Sequence, residues 1–276
     1  MLFQRRVYLT ILYISLNLFF FLPIFTIAQQ GNIVFNIDPS YDSFGRDNVE
    51  AILTRSGSGL YFYVETEWWG KLTPKEQNDA KIAFYELDRE FKDRIYPTLT
   101  SVFGSEPKPG IDRDDKITIL VHRMKDNSGG YTNSGDVYSK FQVPRSNERE
   151  MIYLNAKYIT TPYAKSFLAH EFTHLIGINQ KNLLRKVEEE IWLEEARAEY
   201  APTLLGYDNN FSGSNLEKRV RDFLENPRTS LTAWNNSKFD YAAVNLFAQY
   251  LVDQYGIKIL VDSLQSSKIG IHSLQE

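Results

Sequence analysis

Cysteine is absent from the 276-residue sequence, which excludes disulfides, thiolate metal ligands, thiol nucleophiles and a lipid-modified N-terminal cysteine. Positive charge is not in excess. The 31 Lys and Arg stand against 35 Asp and Glu, a formal net charge of −4, so no global field holds a polyanion and nucleic acid is not an expected partner. There is no internal repeat and no stretch rich enough in Pro or Ser to mark a linker. Histidine is scarce, with four residues at His122, His170, His174 and His272, so a metal site must combine some of these with carboxylates. The rest is ordinary for a folded chain: 43% hydrophobic and 24% charged residues are enough to bury a core, and they exclude a disordered or fibrous protein.

Long apolar runs are also missing except at the start. After Arg5 and Arg6, Val7 to Ile27 is nearly unbroken apolar sequence, the pattern of an export signal. Thr26-Ile27-Ala28 ahead of Gln29-Gln30 places cleavage after Ala28, with Pro23 favouring a break before it. The same run is long enough to remain as an uncleaved membrane anchor. In either form the remaining chain is expected outside the cytoplasm, secreted or held at the membrane through residues 7–27. The expected division is 1–28 as signal peptide or anchor, 29–160 as an N-terminal sheet subdomain and 161–276 as a helical subdomain. The chain stops at Gln275-Glu276 in an apparently helical stretch, so that last part is expected to be either a minimal version or a fragment.

The exported part reads as an α+β chain, sheet with one long helix first and mainly helix afterwards. Asn32 to Ile37 and Leu60 to Val64 are short β-type runs, and Gly57-Ser58-Gly59 is a hairpin turn between Val49–Arg55 and the Tyr-rich run. Thr73-Pro74-Lys75-Glu76 is a capping-box helix start. The helix it opens is expected to bury Ile82, Tyr85, Leu87, Phe91 and Ile95 and to be interrupted by Pro97. Ile117 to Val121 and Met151 to Asn155 read as buried strands, and the Asn/Ser/Gly-rich stretch Asp126 to Asp136 as a loop. Asp112, Asp114 and Asp115 suggest a Ca²⁺ loop, but the EF-hand pattern with its glycine is missing, so a polar turn is expected and Ca²⁺ is unsupported.

His170-Glu171-Phe172-Thr173-His174 lies within a helical stretch, Ala164 to Ile178. Side chains four apart on a helix share a face, with Cβ atoms about 5–6 Å apart, so two imidazoles can hold one Zn²⁺ at about 2.0–2.1 Å each. Glu171 projects about 100° round from His170, beside the ion, where it can serve as a base toward water. The apolar neighbours Phe167, Leu168, Leu175 and Ile176 make this a core helix, in which unpaired histidines are costly. A third protein ligand is required. Gln180 occupies the position of a third histidine six residues beyond His174, which excludes the metzincin arrangement. The other histidines are distant in sequence, so a carboxylate from the helix Glu190 to Tyr200 is the better candidate.

His-Glu-Phe-Thr-His followed by Trp192-Leu193-Glu194-Glu195-Ala196-Arg197-Ala198-Glu199-Tyr200 resembles the gluzincin zinc peptidases, and most of all the exported bacterial neutral metallopeptidases of hyicolysin type. The resemblance implies a zincin-like fold and a zinc-dependent peptide hydrolase acting on protein or peptide substrates. It makes Glu195 the third ligand, with Glu194 where Asn is usual, and Glu199 an acid hydrogen-bonded to a ligand histidine. The faces of the helix agree. Glu190, Glu194 and Arg197 form a solvated stripe, whereas Glu195 shares a partly apolar face with Trp192, Ala196 and Glu199. Glu194 as the ligand is the alternative.

Similar enzymes take a tyrosine from a later helix to stabilise the oxyanion, and Tyr241, at the start of the helix from Phe239 to about Tyr255, matches that place. His122, at the end of the Ile117–Val121 strand, is another donor or simply a strand-end histidine. The resemblance also makes Met151–Asn155 the sheet edge along which an extended peptide is bound, with the Asp126–Asp136 loop as its rim. The sequence lacks a Gly-x-Met-Glu-Asn-like motif for anchoring a substrate N-terminus, so an endopeptidase is favoured over an exopeptidase. The alternative from another class is a non-catalytic exported zinc-containing surface or cell-wall binding module, supported by Trp68-Trp69 and the Tyr-rich strand. Glu171 speaks against it, since a structural site has no use for the base.

Overall fold

The structure is a computed structural model and describes residues 32–275. The Val7–Ile27 run and the expected cleavage after Ala28 lie outside the described residues. The expected α+β order is present. A six-stranded mixed sheet is formed by β1 (Ile33–Asn36), β2 (Asn48–Ser56), β3 (Leu60–Glu65), β4 (Ile117–His122), β5 (Gly130–Tyr131) and β6 (Met151–Asn155), in the spatial order β1-β2-β3-β4-β6-β5. The β1/β2, β2/β3 and β5/β6 pairs are antiparallel, while β3/β4 and β4/β6 are parallel.

The β2–β3 hairpin turns at Gly57–Gly59, as its glycines imply. A buried carboxylate fixes it: Asp88 accepts from the backbone N–H groups of Ser58, Gly59 and Leu60 at 3.0, 3.2 and 3.3 Å. A Cβ on Gly57 would come within 2.2 Å of that carboxylate, so a larger residue there would have to displace the group that holds the turn.

The parallel β3–β4 crossover contains the short α1 (Thr66–Lys71), then α2 (Pro74–Glu90), a π-helical turn (Phe91–Ile95) and α3 (Tyr96–Phe103). Thr73 and Glu76 form the capping box that starts α2. Two expectations for this helix need correction. Its buried stripe is Ala80, Phe84, Leu87, Phe91 and Ile95, while Ile82 and Tyr85 are about half exposed. Nor does Pro97 end the helical run: the α-helical pattern gives way to the π-helical turn Phe91–Ile95 just before it and resumes as α3, with Pro97 in its first turn. Trp68 and Trp69 pack against this core, with Trp69 stacked on Phe84, so they fill the interior rather than present a sugar-binding platform.

Strand alternation divides the core in two. On β4, Ile117, Ile119 and Val121 face a large cluster shared with the helices, whereas Leu120 faces a smaller cluster with Phe35, Tyr63, Tyr131 and Tyr153. The helical part follows: α4 (Ala164–Gly177), a π-helical turn (Ile178–Leu183), α5 (Ile191–Leu204), α6 (Asn215–Glu225), α7 (Lys238–Tyr255), α8 (Lys258–Gln265) and α9 (Gly270–Ser273). Phe172 of α4 meets Phe91 edge-on at 4.9 Å and stacks on Tyr96 at 5.6 Å, which seats α4 on the crossover helices. Among the described residues no helix is long and apolar enough to cross a membrane.

One expectation about the sheet is overturned. Met151–Asn155 is not its edge, because β6 is paired on both sides, with β4 and with β5. The edge is β5, two residues inside the Asn/Ser/Gly-rich loop, and so short a strand leaves no period-2 pattern to read.

Candidate metal centre

The i, i+4 spacing on α4 brings His170 Nε2 and His174 Nε2 to 3.1 Å from each other. Glu195 of α5 completes the group, its Oε2 lying 3.2 Å from His170 Nε2 and 3.7 Å from His174 Nε2. These three side chains are the one group of at least three potential ligands found among the described residues. The triangle fits an ion: two ligands at about 2.0–2.1 Å on a tetrahedral centre stand roughly 3.3 Å apart. Glu195 Oε2 is moreover buried without a hydrogen bond, a costly state unless an ion is meant to share it. Burial pushes the Glu195 carboxyl up, but the adjacent imidazoles outweigh it and hold it well below the ordinary range. The donor set of two imidazoles and one carboxylate suits a divalent transition ion such as zinc.

The chain between the two motif helices is locked so that Glu195 reaches α4. Glu189 lies between Lys181 Nζ at 3.3 Å and Arg197 Nη2 at 2.8 Å, and it also accepts from Gly270 N. Lys181 donates in addition to the carbonyls of Ser266 and Lys268, and Arg197 to Ser263 Oγ. Arg197 is thus buried, which corrects the expectation of a solvated Glu190–Glu194–Arg197 stripe. Its partners come from distant parts of the chain, which helix spacing alone does not reveal.

Glu194, the alternative ligand, is not in the triangle. Its Oε1 lies 3.4 Å from His174 Nδ1, on the outer nitrogen of that ring. Glu199 takes the corresponding place at His170, with Oε1 3.6 Å from Nδ1. Glu199 is nearly completely buried, and Arg219, Asn215 and Asn245 all donate to its carboxylate. Burial alone would raise its pKa, but the Arg219 charge and fork outweigh this and lower it. The carboxylate therefore stays ionised beside His170 and favours the tautomer with a proton on Nδ1.

Glu171 is buried against β5. The single Thr132 hydroxyl proton is shared between its backbone carbonyl, 3.1 Å from Oγ1, and its carboxylate, 3.2 Å from Oγ1. Burial pushes the Glu171 carboxyl up, and the two histidines only partly oppose this, the direction a proton acceptor at neutral pH needs.

Tyr241, in the first turn of α7, lies under the Arg219 guanidinium at 5.0 Å and donates to Asn236 Oδ1 at 3.0 Å. Burial first, then the charge of Glu195, raises its phenol. His122 is elsewhere. It is fully buried with Tyr131 and Tyr153 on the other face of the sheet, Nδ1 3.5 Å from Asp42 Oδ2, and takes no part in the metal group. The acidic turn is a turn: Asp112 accepts from Asp114 N, and Asp114 from Lys116 N and the Tyr61 hydroxyl.

Sequence reasoning missed Arg219, Asn215, Asn245, Thr132 and the edge glycine Gly130. The first two stand four apart on α6, and Ser214 with Glu217 marked its start. That pattern was available. Nothing local ties Asn245 or Thr132 to the motif.

No family model matches the chain. Over 206 residues it is 31% identical to the neutral metalloprotease ShpI of Staphylococcus hyicus, a match that covers 65% of this chain and 44% of that protein. The chain thus spans less than half the length of the curated relative it matches. It is a homologue of a neutral metalloprotease, and its His170, His174 and Glu195 fit the gluzincin pattern of His-Glu-x-x-His with a downstream glutamate.

Proposed function

We propose that the protein is a zinc-dependent metallopeptidase, probing its substrates as extended chains and cutting within them. The observation that carries this reading is the His170–His174–Glu195 triangle with a buried acid, Glu171, beside it. His170, His174 and Glu195 would hold the ion, which when bound supplies Lewis-acid polarisation of water and of the scissile carbonyl. Glu171 accepts the proton that water loses and passes it to the leaving amine. Thr132 keeps the Glu171 carboxylate turned toward β5, and Glu199 orients His170. Tyr241 leaves Asn236 to donate to the oxygen on which charge develops.

The free edge of β5 binds the substrate backbone, and the helical part, residues 161–276, supplies the metal ligands. The N-terminal run Val7–Ile27 supports export, so the substrates are extracytoplasmic proteins or peptides. The test measures zinc content and casein hydrolysis of the full chain beside Glu171→Gln and Glu195→Gln. About one zinc per chain with hydrolysis is expected for the parent; Glu171→Gln should hold zinc without cutting, and Glu195→Gln should lose it. A parent chain that binds no zinc, or binds it and cuts nothing, overturns the reading.

A further inference from the structure

Three tyrosine rings form a stack that runs off the edge of the sheet. Tyr153 on β6 and Tyr131 on β5 lie 4.2 Å apart and 7° from parallel, and Tyr41 stacks on Tyr131 at 4.5 Å and 15°. These spacings are close to the about 4.7–4.9 Å between neighbouring strands. Since β6 is inner and β5 outermost, Tyr41 stands where a side chain of the next strand beyond β5 would be.

Tyr41 belongs to no strand and is held there by a turn. Its N–H donates to Asp38 O at 3.1 Å, its carbonyl accepts from Lys125 N at 2.8 Å, and the Tyr131 hydroxyl accepts from Asp38 N at 3.1 Å. The edge beside it is accessible to another backbone. Gly129 O accepts from Asn155 N, so the alternation of an antiparallel pair turns the N–H and C=O of Gly130 outward. Gly130 also packs on Glu171, since a Cβ there would come within 3.0 Å of Glu171 Cγ. A peptide added to β5 passes the metal site, and its residue opposite Tyr131 projects its side chain onto the face that Tyr41 fills.

We propose that Tyr41 is a specificity-determining residue, its ring filling the slot of the substrate side chain that pairs with Tyr131, so that a bound peptide must carry Gly, Ala or Ser there. The inference rests on the peptidase reading for its substrate class.

The experiment separates peptide selection from cleavage. Zinc-loaded Glu171→Gln full chain is immobilised, exposed to a random peptide library, and the retained peptides are sequenced; the same is done with Tyr41→Ala, Tyr41→Leu and Tyr41→Phe added. One position restricted to Gly, Ala and Ser is expected with Tyr41 or Phe in place. Tyr41→Ala should admit Leu and aromatic residues at that position at least tenfold more often. Tyr41→Leu, which keeps an apolar contact for the turn, should widen it less and decides the matter if Tyr41→Ala does not fold. An unchanged residue distribution in the foldable variants, or no retained peptides at all, overturns the inference. Peptide selection of the expected kind alongside a parent chain that cuts nothing overturns the peptidase reading and leaves the slot standing.

Discussion

Arg219 grips Glu199 with two nitrogens, Nε to Oε2 at 2.8 Å and Nη2 to Oε1 at 2.5 Å, while the same Oε1 lies 3.6 Å from His170 Nδ1. A fork of this kind keeps a buried carboxylate ionised and fixes its orientation. The acid that serves His170 is therefore set by a residue two helices away from the histidine.

Removing the fork should weaken the metal site without touching a ligand. Arg219→Met leaves Glu199 buried without its counter-charge, so its carboxyl should take up a proton and lose its electrostatic pull on the His170 ring. Zinc affinity is expected to fall about 10–100-fold, read by competition with a chelator. Arg219→Lys restores charge but not the fork and should recover only part of the loss. Unchanged zinc affinity in Arg219→Met would show that Glu199 has no influence on the ligand.

Gly130 is the point where the sheet edge meets Glu171, the proposed base. A methyl group there would lie 2.7 Å from the backbone oxygen of Tyr153 and 3.0 Å from Glu171 Cγ. Backbone cannot yield cheaply, so Gly130→Ala should displace β5 and Glu171 together. Casein hydrolysis is expected to drop at least tenfold while zinc content stays near that of the parent, because none of the three ligands is touched. Full activity in Gly130→Ala would mean that the edge is looser than its packing implies.

These relationships explain what was legible in the sequence and what was not. The His170–Glu171–His174 constellation is encoded within five residues, and helix geometry alone converts that spacing into a shared face. Strands β3, β4 and β6 are long enough for their apolar runs to identify them. Strand β5 has two residues and no pattern, so the sequence points to β6 as the edge, one strand too early. Arg197 reads as a solvated helix charge because spacing along one helix says nothing about Glu189 or Ser263 arriving from elsewhere. The stripe on α2 was misplaced for a milder reason: Ile82 and Tyr85 are apolar, yet the helix buries Ala80 and Phe84 instead.

Tyr241 bears on chemistry rather than on architecture. Its hydroxyl donates to Asn236 Oδ1 at 3.0 Å, so it must give up that bond before it can serve a substrate oxygen. Tyr241→Phe keeps the ring under Arg219 and removes only the donor. A fall in kcat of about 10²–10³, the scale of losing one oxyanion donor, with KM changed less and zinc unaffected, is expected from steady-state kinetics. A kcat equal to that of the parent would assign Tyr241 to packing with Trp234, its edge-on neighbour at 5.0 Å.

Glu150 gives a prediction about stability and pH. Its side chain is buried just before β6, packed against Gly110, with Oε1 lacking a hydrogen bond. Burial, and then the charge of Asp112, pushes its carboxyl from 4.5 up to about 7. A raised pKa means the folded state holds this proton more tightly than the unfolded chain does. Its contribution to stability is thus complete below pH 4.5 and is lost as pH rises through about 7. Glu150→Gln carries no such penalty. It should match the parent in thermal unfolding at pH 4 to 5 and exceed it at pH 8, each kcal/mol being worth roughly 2–4 °C in a chain of this size. Asp136, pushed up to about 6 by its burial, adds a decline common to both proteins, so the difference between variant and parent isolates Glu150. A melting difference that stays flat from pH 4 to pH 8 would place a counter-ion on Glu150 rather than a proton.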